Sequence, residues 1–190
     1  MAYASIARGY KAGGFNTDGT LDADLREFDE EFLIEYELGV KSNLLDNTLH
    51  LKAALFHDDR NEQQVKSSTG RIRANGSTEF IDFIGNAAEG TNNGAEFEAV
   101  WYPSERLGLT ASLGLLDATF DSFLNSKNQD LSGRDQAHAP GYMAHLALDY
   151  NVGAWSIAAS LDAKDDFYFS DSHHVQSDPY ELLNIRVRYS

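Results

Sequence analysis

Two ten-residue segments joined by a short polar break constrain this chain most: Phe32-Leu-Ile-Glu-Tyr-Glu-Leu-Gly-Val-Lys41 and Thr48-Leu-His-Leu-Lys-Ala-Ala-Leu-Phe-His57. In an extended strand successive side chains point to opposite faces. Phe32, Ile34, Tyr36, Leu38 and Val40 therefore share one face, and Glu35, Glu37, Gly39 and Lys41 share the other. Beyond the break, Leu49, Leu51, Ala53 and Leu55 alternate with His50, Lys52, Ala54 and Phe56. The pattern predicts a hairpin with one continuous apolar face and one wet face.

The same pattern recurs down the chain. Ala95, Phe97, Ala99 and Trp101 alternate with Glu96, Glu98, Val100 and Tyr102. After Pro103-Ser-Glu-Arg106 the apolar face resumes at Leu107, Leu109, Ala111, Leu113 and Leu115. A third hairpin turns at Asn151-Val-Gly-Ala154, between Tyr142–Tyr150 and Trp155–Ala163. The last strand runs from Tyr180 to Tyr189, and the first, Met1 to Tyr10, alternates less clearly. The expectation is about eight antiparallel strands. Turns near 43–47, 103–106 and 151–154 are short, whereas the segments near 11–29, 121–139 and 166–178 are long and rich in Gly, Asp, Asn and Ser. The segment 58–93 carries Asn75-Gly76, a strong short-hairpin signal, so its strands are expected to run well past the others before reversing.

Aromatic residues sort by height along these strands. Trp101, Tyr102, Tyr150, Trp155 and Tyr189 flank the short turns; Phe32, Phe120, Tyr142 and Phe167 to Phe169 lie toward the long loops. Strands of about ten residues with aromatic belts at both ends describe the wall of an outer-membrane β-barrel. A soluble sandwich or ligand-binding barrel also alternates, with its apolar face turned to a core. No window approaches the run of about 20 apolar residues that a membrane-spanning helix needs, and Met1-Ala-Tyr-Ala-Ser lacks the basic and apolar regions of a secretory signal.

Composition narrows function. The 190 residues, 42% hydrophobic and 12% aromatic, suffice for a folded chain. A formal charge of −15, from 30 acidic and 15 basic residues, argues against nucleic acid as a partner. There is no cysteine, hence no disulfide framework and no thiolate chemistry. The chain has no G-x-S-x-G elbow, phosphate-binding glycine loop or H-E-x-x-H, so no enzymatic activity is expected.

Several segments resemble one family in its own order. Tyr3-Ala-Ser-Ile-Ala-Arg-Gly-Tyr-Lys-Ala-Gly-Gly-Phe-Asn16 and Glu37-Leu-Gly-Val-Lys-Ser42 are similar to a strand, loop and following strand of TonB-dependent outer-membrane receptors. Asn86 to Glu98, ending Gly-Ala-Glu-Phe-Glu, then Leu131-Ser-Gly-Arg134, Ala139-Pro140 and Asp149-Tyr150 resemble the segments that follow. The resemblance covers nearly the whole chain. It implies an all-β fold, a partial antiparallel transmembrane barrel over residues 1–190 with short periplasmic turns and long extracellular loops. On this reading the family's plug domain, TonB box and final strands lie outside the chain, as in a fragment of the C-terminal part of a 22-stranded barrel. The implied function is nutrient uptake across the outer membrane of a Gram-negative bacterium, with a ferric siderophore as the leading cargo and no cofactor. Implied partners are outer-membrane lipid, the remaining strands and plug, the TonB complex through the receptor's N-terminal part, and a small iron chelate. The alternative is a complete eight-stranded barrel with a structural or adhesion role, since eight strands also make the smallest outer-membrane barrels.

Candidate site residues follow from the wet face. Glu35, Glu37, Lys41, Lys52, Glu96, Glu98, Arg186 and Arg188 would face the lumen, where they contact the plug or line the path, or are polar simply because water fills that space. Arg8, Tyr10 and Lys11 stand where a loop mouth would meet a ligand, although such residues also anchor strands at interfaces. His173 and His174, near Asp171 and Asp178, carry a metal-ligand composition but equally suit a solvated loop. The run Asn16 to Asp24 is oxygen-rich but lacks the spacing of a calcium loop and reads as an exposed acidic loop.

Overall fold

Alternation along each strand produces a single antiparallel meander. A computed structural model of the protein describes residues 1–125 and 128–190. Its main sheet contains β1 (Ala2–Lys11), β4 (Glu31–Leu44), β5 (Leu49–Ile72), β6 (Thr78–Ser104), β7 (Leu107–Phe123), β8 (Tyr142–Val152), β9 (Trp155–Lys164) and β10 (Tyr180–Tyr189), hydrogen-bonded in that order. A two-stranded ribbon of β2 (Gly14–Phe15) and β3 (Glu27–Phe28), with a 3-10 turn at Ala23–Leu25, folds within the first long loop. The eight expected strands are present; this small ribbon is an addition that its short, irregular sequence did not announce. Within the sheet β1 pairs only with β4 and β10 only with β9, so the sheet is open. The alternative of a complete eight-stranded barrel requires those two strands to pair, and among the described residues they do not.

Register places the two faces as the alternation predicts. Leu38 stands opposite Leu55, Leu55 opposite Ala95, and Ala95 opposite Leu115, all on one face. Glu37, Phe56, Gly94 and Leu116 form a row on the other. Among the described residues nothing covers the apolar face: Leu38 and Leu55 are 62% and 61% exposed. A soluble barrel would turn these side chains to a core, whereas a lipid-facing wall leaves them bare.

Strands β8, β9 and β10 have 11, 10 and 10 residues, enough to cross an apolar band of about 25 Å. Strands β5 and β6 have 24 and 27. At about 3.3 Å per residue each reaches roughly 80 Å, far beyond that band, before reversing at Asn75-Gly76 with Gly76 at φ 82°. The upper part carries the protein's buried apolar residues. Val65, Ala88, Phe120 and Phe123 form one cluster with Ala87 and Leu131 packed on it; Leu21, Ile81 and Phe83 form a second beside Leu25. Phe120 is 1% exposed, with its ring 4.7 Å from that of Phe123. Its sequence-based place in an outer aromatic belt is therefore corrected: it points inward and builds a core. Tyr102 likewise lies beside Gly108 on the inner face, while Trp155 packs on Tyr189 at 4.9 Å beside a short turn.

The border between lower wall and upper part is a line of bulges. One extra residue enters β5 between Arg60 and Gln63, where Glu62 adopts φ 54°, one enters β6 at Ala87, and one enters β7 at Asp121. A bulge re-aims all that follows it. On β5 the inward residues are Asp58 and Arg60 below it, and Gln63, Val65 and Ser67 above it.

Candidate functional site

The inner face of the lower wall gathers the charged residues singled out in the sequence. Lys41 and Lys52 are cross-strand neighbours, an unfavourable pairing of like charges. Lys52 pairs with Glu98 at 2.8 Å, and the Lys41 ammonium lies 5.2 Å from the Tyr3 ring. Glu35 stands between Ala7 and Asp58, Glu37 between Ser5 and Phe56, and Glu96 between Ala54 and Gly114. Arg186 and Arg188 occupy the same face on β10, opposite Ala158 and Ser156. His145 and Asp162, 2.6 Å apart, add a polar pair there that the sequence reading passed over.

Two glycines in the resembling segments have a packing role. A Cβ on Gly39 would overlap the Tyr3 ring opposite it, and one on Gly94 would overlap the Phe56 ring. The Gly of Glu37-Leu-Gly-Val-Lys41 and that of Gly94-Ala-Glu-Phe-Glu98 are therefore beds on which a neighbouring strand lays an aromatic ring across the inner face.

Just below and within the line of bulges lies a polar cluster absent from the sequence-based candidates. Arg60 pairs with Glu31 through Nε and Nη2 and donates from Nη1 to Gln136 Oε1 at 2.7 Å. The second Glu31 oxygen accepts the Gln64 amide N–H at 3.0 Å. Gln63 Nε2 donates to Gln136 Oε1, while Gln136 Nε2 donates to Asn92 Oδ1 and to the Thr119 carbonyl, both at 3.0 Å. Glu31, Gln63 and Gln136 are all buried. Gly90 leaves room for this cluster, since a Cβ there would lie 2.8 Å from Gln136 Nε2 and 2.9 Å from Gln63 Oε1. Buried charge is tolerated when paired and fully hydrogen-bonded, and here the pairing ties the long loop carrying Gln136 to the wall.

The strip Arg134 to His138 also reaches the last long loop. Arg134 lies 4.1 Å over the Tyr168 ring and donates from Nη2 to the carbonyls of Ser170 and His173. The Ala137 N–H donates to Asp171 Oδ1 at 2.8 Å and the His138 N–H to the Tyr168 carbonyl at 2.9 Å. Between this strip, the last loop and the β5–β6 extension lies an outer cleft of about 440 Å³. Ser126 and Lys127, in the loop expected over 121–139, lie outside the described residues.

The remaining candidates divide. Arg8 and Tyr10 face outward beside Ile34 and Phe32, with the Arg8 guanidinium 4.5 Å from the Phe32 ring, whereas Lys11 is on the opposite face beside Glu31. His173 borders the outer cleft and Asp171 is engaged by Ala137. Among the described residues no three His, Cys, Asp or Glu side chains come together as a metal site, so His173 and His174 are not assembled with Asp171 and Asp178. Asp18, in the oxygen-rich first loop, is held below its ordinary pKa by hydrogen bonds from the Thr20 hydroxyl and N–H, at 2.6 and 2.8 Å.

This fold occurs in known proteins. The family model for a TonB dependent receptor-like beta-barrel matches residues 1–190. The pesticin receptor of Yersinia pestis is 32% identical over 184 residues, covering 96% of this chain and 25% of the receptor. The chain thus spans about a quarter of the length of that relative. Among solved structures, the ferric yersiniabactin uptake receptor FyuA of Yersinia pestis superposes with a TM-score of 0.77 at 21% identity, covering 99% of this chain and 27% of that one. The siderophore receptor PiuA of Acinetobacter baumannii does so with 0.73 at 19% identity, again over 99% and 27%. At such identities the structures establish the fold, and the match of the family model over the full chain makes it a member of the TonB-dependent receptor β-barrel family.

Proposed function

We propose that these strands form part of the barrel wall and outer loops of a receptor that imports a scarce nutrient across the outer membrane of a Gram-negative bacterium. The cargo is a ferric siderophore, and import is energised by TonB acting through other parts of the receptor. One observation carries the reading: a bare apolar face lies opposite a charged inner face, with long loops tied above the wall by the Glu31–Arg60–Gln136 cluster. A transporter wall needs lipid contact outside, water or plug inside and a shaped mouth above. Relatives named for ferric yersiniabactin uptake and siderophore reception support the choice of cargo.

On this reading Glu35, Glu37, Lys41, Lys52, Glu96, Glu98, Arg186 and Arg188 contact the plug or line the path. Arg8 and Tyr10 anchor the wall at the upper interface, and Lys11 stands at the inner mouth. The test is radio-iron uptake in iron-starved cells expressing the full receptor, with and without a functional TonB. Uptake that requires both receptor and TonB is expected; uptake unchanged by loss of either contradicts the proposal.

A further inference from the structure

The segments 11–30, 58–93, 117–141 and 165–178 carry 20 of the 30 acidic residues and 8 of the 15 basic ones, so carboxylates to neutralise a cation are plentiful there. Arg60 pairs with Glu31, Lys66 with Asp82 and Arg73 with Glu79. Two guanidiniums that form no such pair among the described residues meet in one place. Arg26 of the first long loop and Arg71 of β5 line a second cleft, of about 690 Å³, between that loop and the β5–β6 extension. Arg26 donates from Nε to the Leu21 carbonyl at 3.1 Å and from Nη2 to the Gly19 carbonyl at 3.0 Å, neutral acceptors that fix the side chain and leave its charge unbalanced. Arg71 stands directly across from Glu79, but that carboxylate is drawn to Arg73 at 2.5 Å.

The rest of the cleft suits an anion. Thr69 precedes Arg71 by two residues, shares its face and adds a hydroxyl. Leu21 and Ile81, 3% and 4% exposed, close the floor. Asp22 is the carboxylate in the described lining, so two positive charges face one negative. Of the other acids nearby, Asp18 is engaged by the Thr20 hydroxyl and N–H, and Glu79 by Arg73. Arg71 lies 11 residues beyond Arg60, roughly 35 Å along the strand at about 3.3 Å per residue, which sets the cleft in water well above the bulges.

We infer that this cleft is an oxyanion site that captures a carboxylate of the cargo, with Arg71 as the free cation and Arg26 as the fixed one. This rests on the chelate-receptor reading proposed above. A guanidinium presents planar N–H donors that match the two oxygens of a carboxylate. The acidic surroundings do not forbid it, because exposed charges more than about 8 Å apart are largely screened at physiological ionic strength, whereas the two guanidiniums touch the ligand.

The test is isothermal titration calorimetry on the full receptor in detergent, with citrate as the carboxylate probe, triethyl citrate as its uncharged counterpart and iron(III) citrate as the loaded chelate. Citrate is expected to bind with a Kd on the order of 1 mM, the strength of two charge-assisted hydrogen bonds. Iron(III) citrate should compete with it, and triethyl citrate should not bind. Arg71→Gln should weaken citrate by about tenfold or more, the loss of one hydrogen bond to a charged group, and Arg71→Lys should recover most of that loss. Arg71 is exposed, so both variants should unfold at the temperature of the unmodified receptor. Arg73→Gln should also weaken citrate, although Arg73 lies outside the lining, because Glu79 is released to the Arg71 facing it. No binding of citrate up to about 10 mM, tenfold the expected Kd, overturns the inference. So does equal binding of triethyl citrate, an affinity unmoved by Arg71→Gln, or iron(III) citrate that does not compete. Citrate binding that depends on Arg71, in a receptor without receptor-dependent and TonB-dependent iron uptake, overturns the underlying reading instead.

Discussion

The lower wall and the upper extension are made of the same strands but are held by different forces. Well below the bulges, over residues 33–44, 49–57, 91–101 and 107–117, register is regular, large apolar side chains lie bare on the outer face, and side chains sunk below a tenth exposure are absent among the described residues. At and above them lie Phe120, Val65, Phe123, Ile81 and Phe83, each less than a tenth exposed, beside the Glu31–Arg60 pair. On the proposed reading the lower part borrows its apolar environment from lipid, whereas the upper part stands in water and must bury its own core. A break in strand phase is the device that allows this change within one continuous strand.

The comparison predicts effects confined to one region. Phe120→Ala should cost the upper part about 4 kcal/mol, the middle of the range for truncating a buried phenylalanine. Hydrogen exchange on the full receptor should speed up over 60–67 and 117–125 and stay unchanged over 95–101; loosening of both would show that the regions are one cooperative unit. Glu31→Gln comes next, at about 3 kcal/mol, because Arg60 loses its counter-charge while still largely buried. Its readout is protease cleavage in loop 121–139, which Gln136 no longer secures.

Gly94→Ala acts below the bulges and should cost about 1–2 kcal/mol, the strain of adding a methyl where a ring already lies. Here thermal unfolding of the whole barrel should shift while loop proteolysis does not. The smallest effect belongs to the hairpin tip. The hydrogen bond from Arg73 at 2.5 Å holds Glu79 below its ordinary pKa. Its stabilisation is therefore present above the usual carboxylate value and disappears as pH falls through the lowered one. Exchange at residues 73–79 should quicken over that acid interval in the native receptor and hardly at all in Glu79→Gln.

The lower wall was legible in the sequence because period-two alternation carries face identity from Phe32 to Val40 and across each short turn. Short turns, long loops and the Asn75-Gly76 reversal were legible for the same local reason. The alternation fails where a residue is inserted. No local feature of Arg60-Asn-Glu-Gln63 marks which residue bulges, so the inward turn of Val65 and Ser67 depends on register with β6. Phe120 shares the inner phase of Gly114 and Leu116 by plain alternation, so sorting aromatics by height alone assigns it to a belt, while its partners Val65 and Phe123 turn inward beside it because the bulges re-aim β5 and β7. The cluster around Arg60 joins positions 29 to 76 residues apart, a proximity that spacing along the chain does not reveal. The outer cleft is likewise a product of three loops.

The assignment of lipid and lumen faces, and their exchange at the bulges, is tested most directly by a single-cysteine spin-label scan along β5 from Leu51 to Ser67 in bilayers. These 190 residues contain no cysteine, so within them each label reports one site. The account predicts that Leu51, Ala53 and Leu55 collide with lipid-soluble oxygen and Lys52, Ala54 and Phe56 with a water-soluble relaxer. It also predicts that the inward, immobilised phase moves from even positions at Asp58 and Arg60 to odd positions at Gln63, Val65 and Ser67. A uniform aqueous profile over 51–56, or an alternation that keeps one phase through residues 60–67, would contradict it.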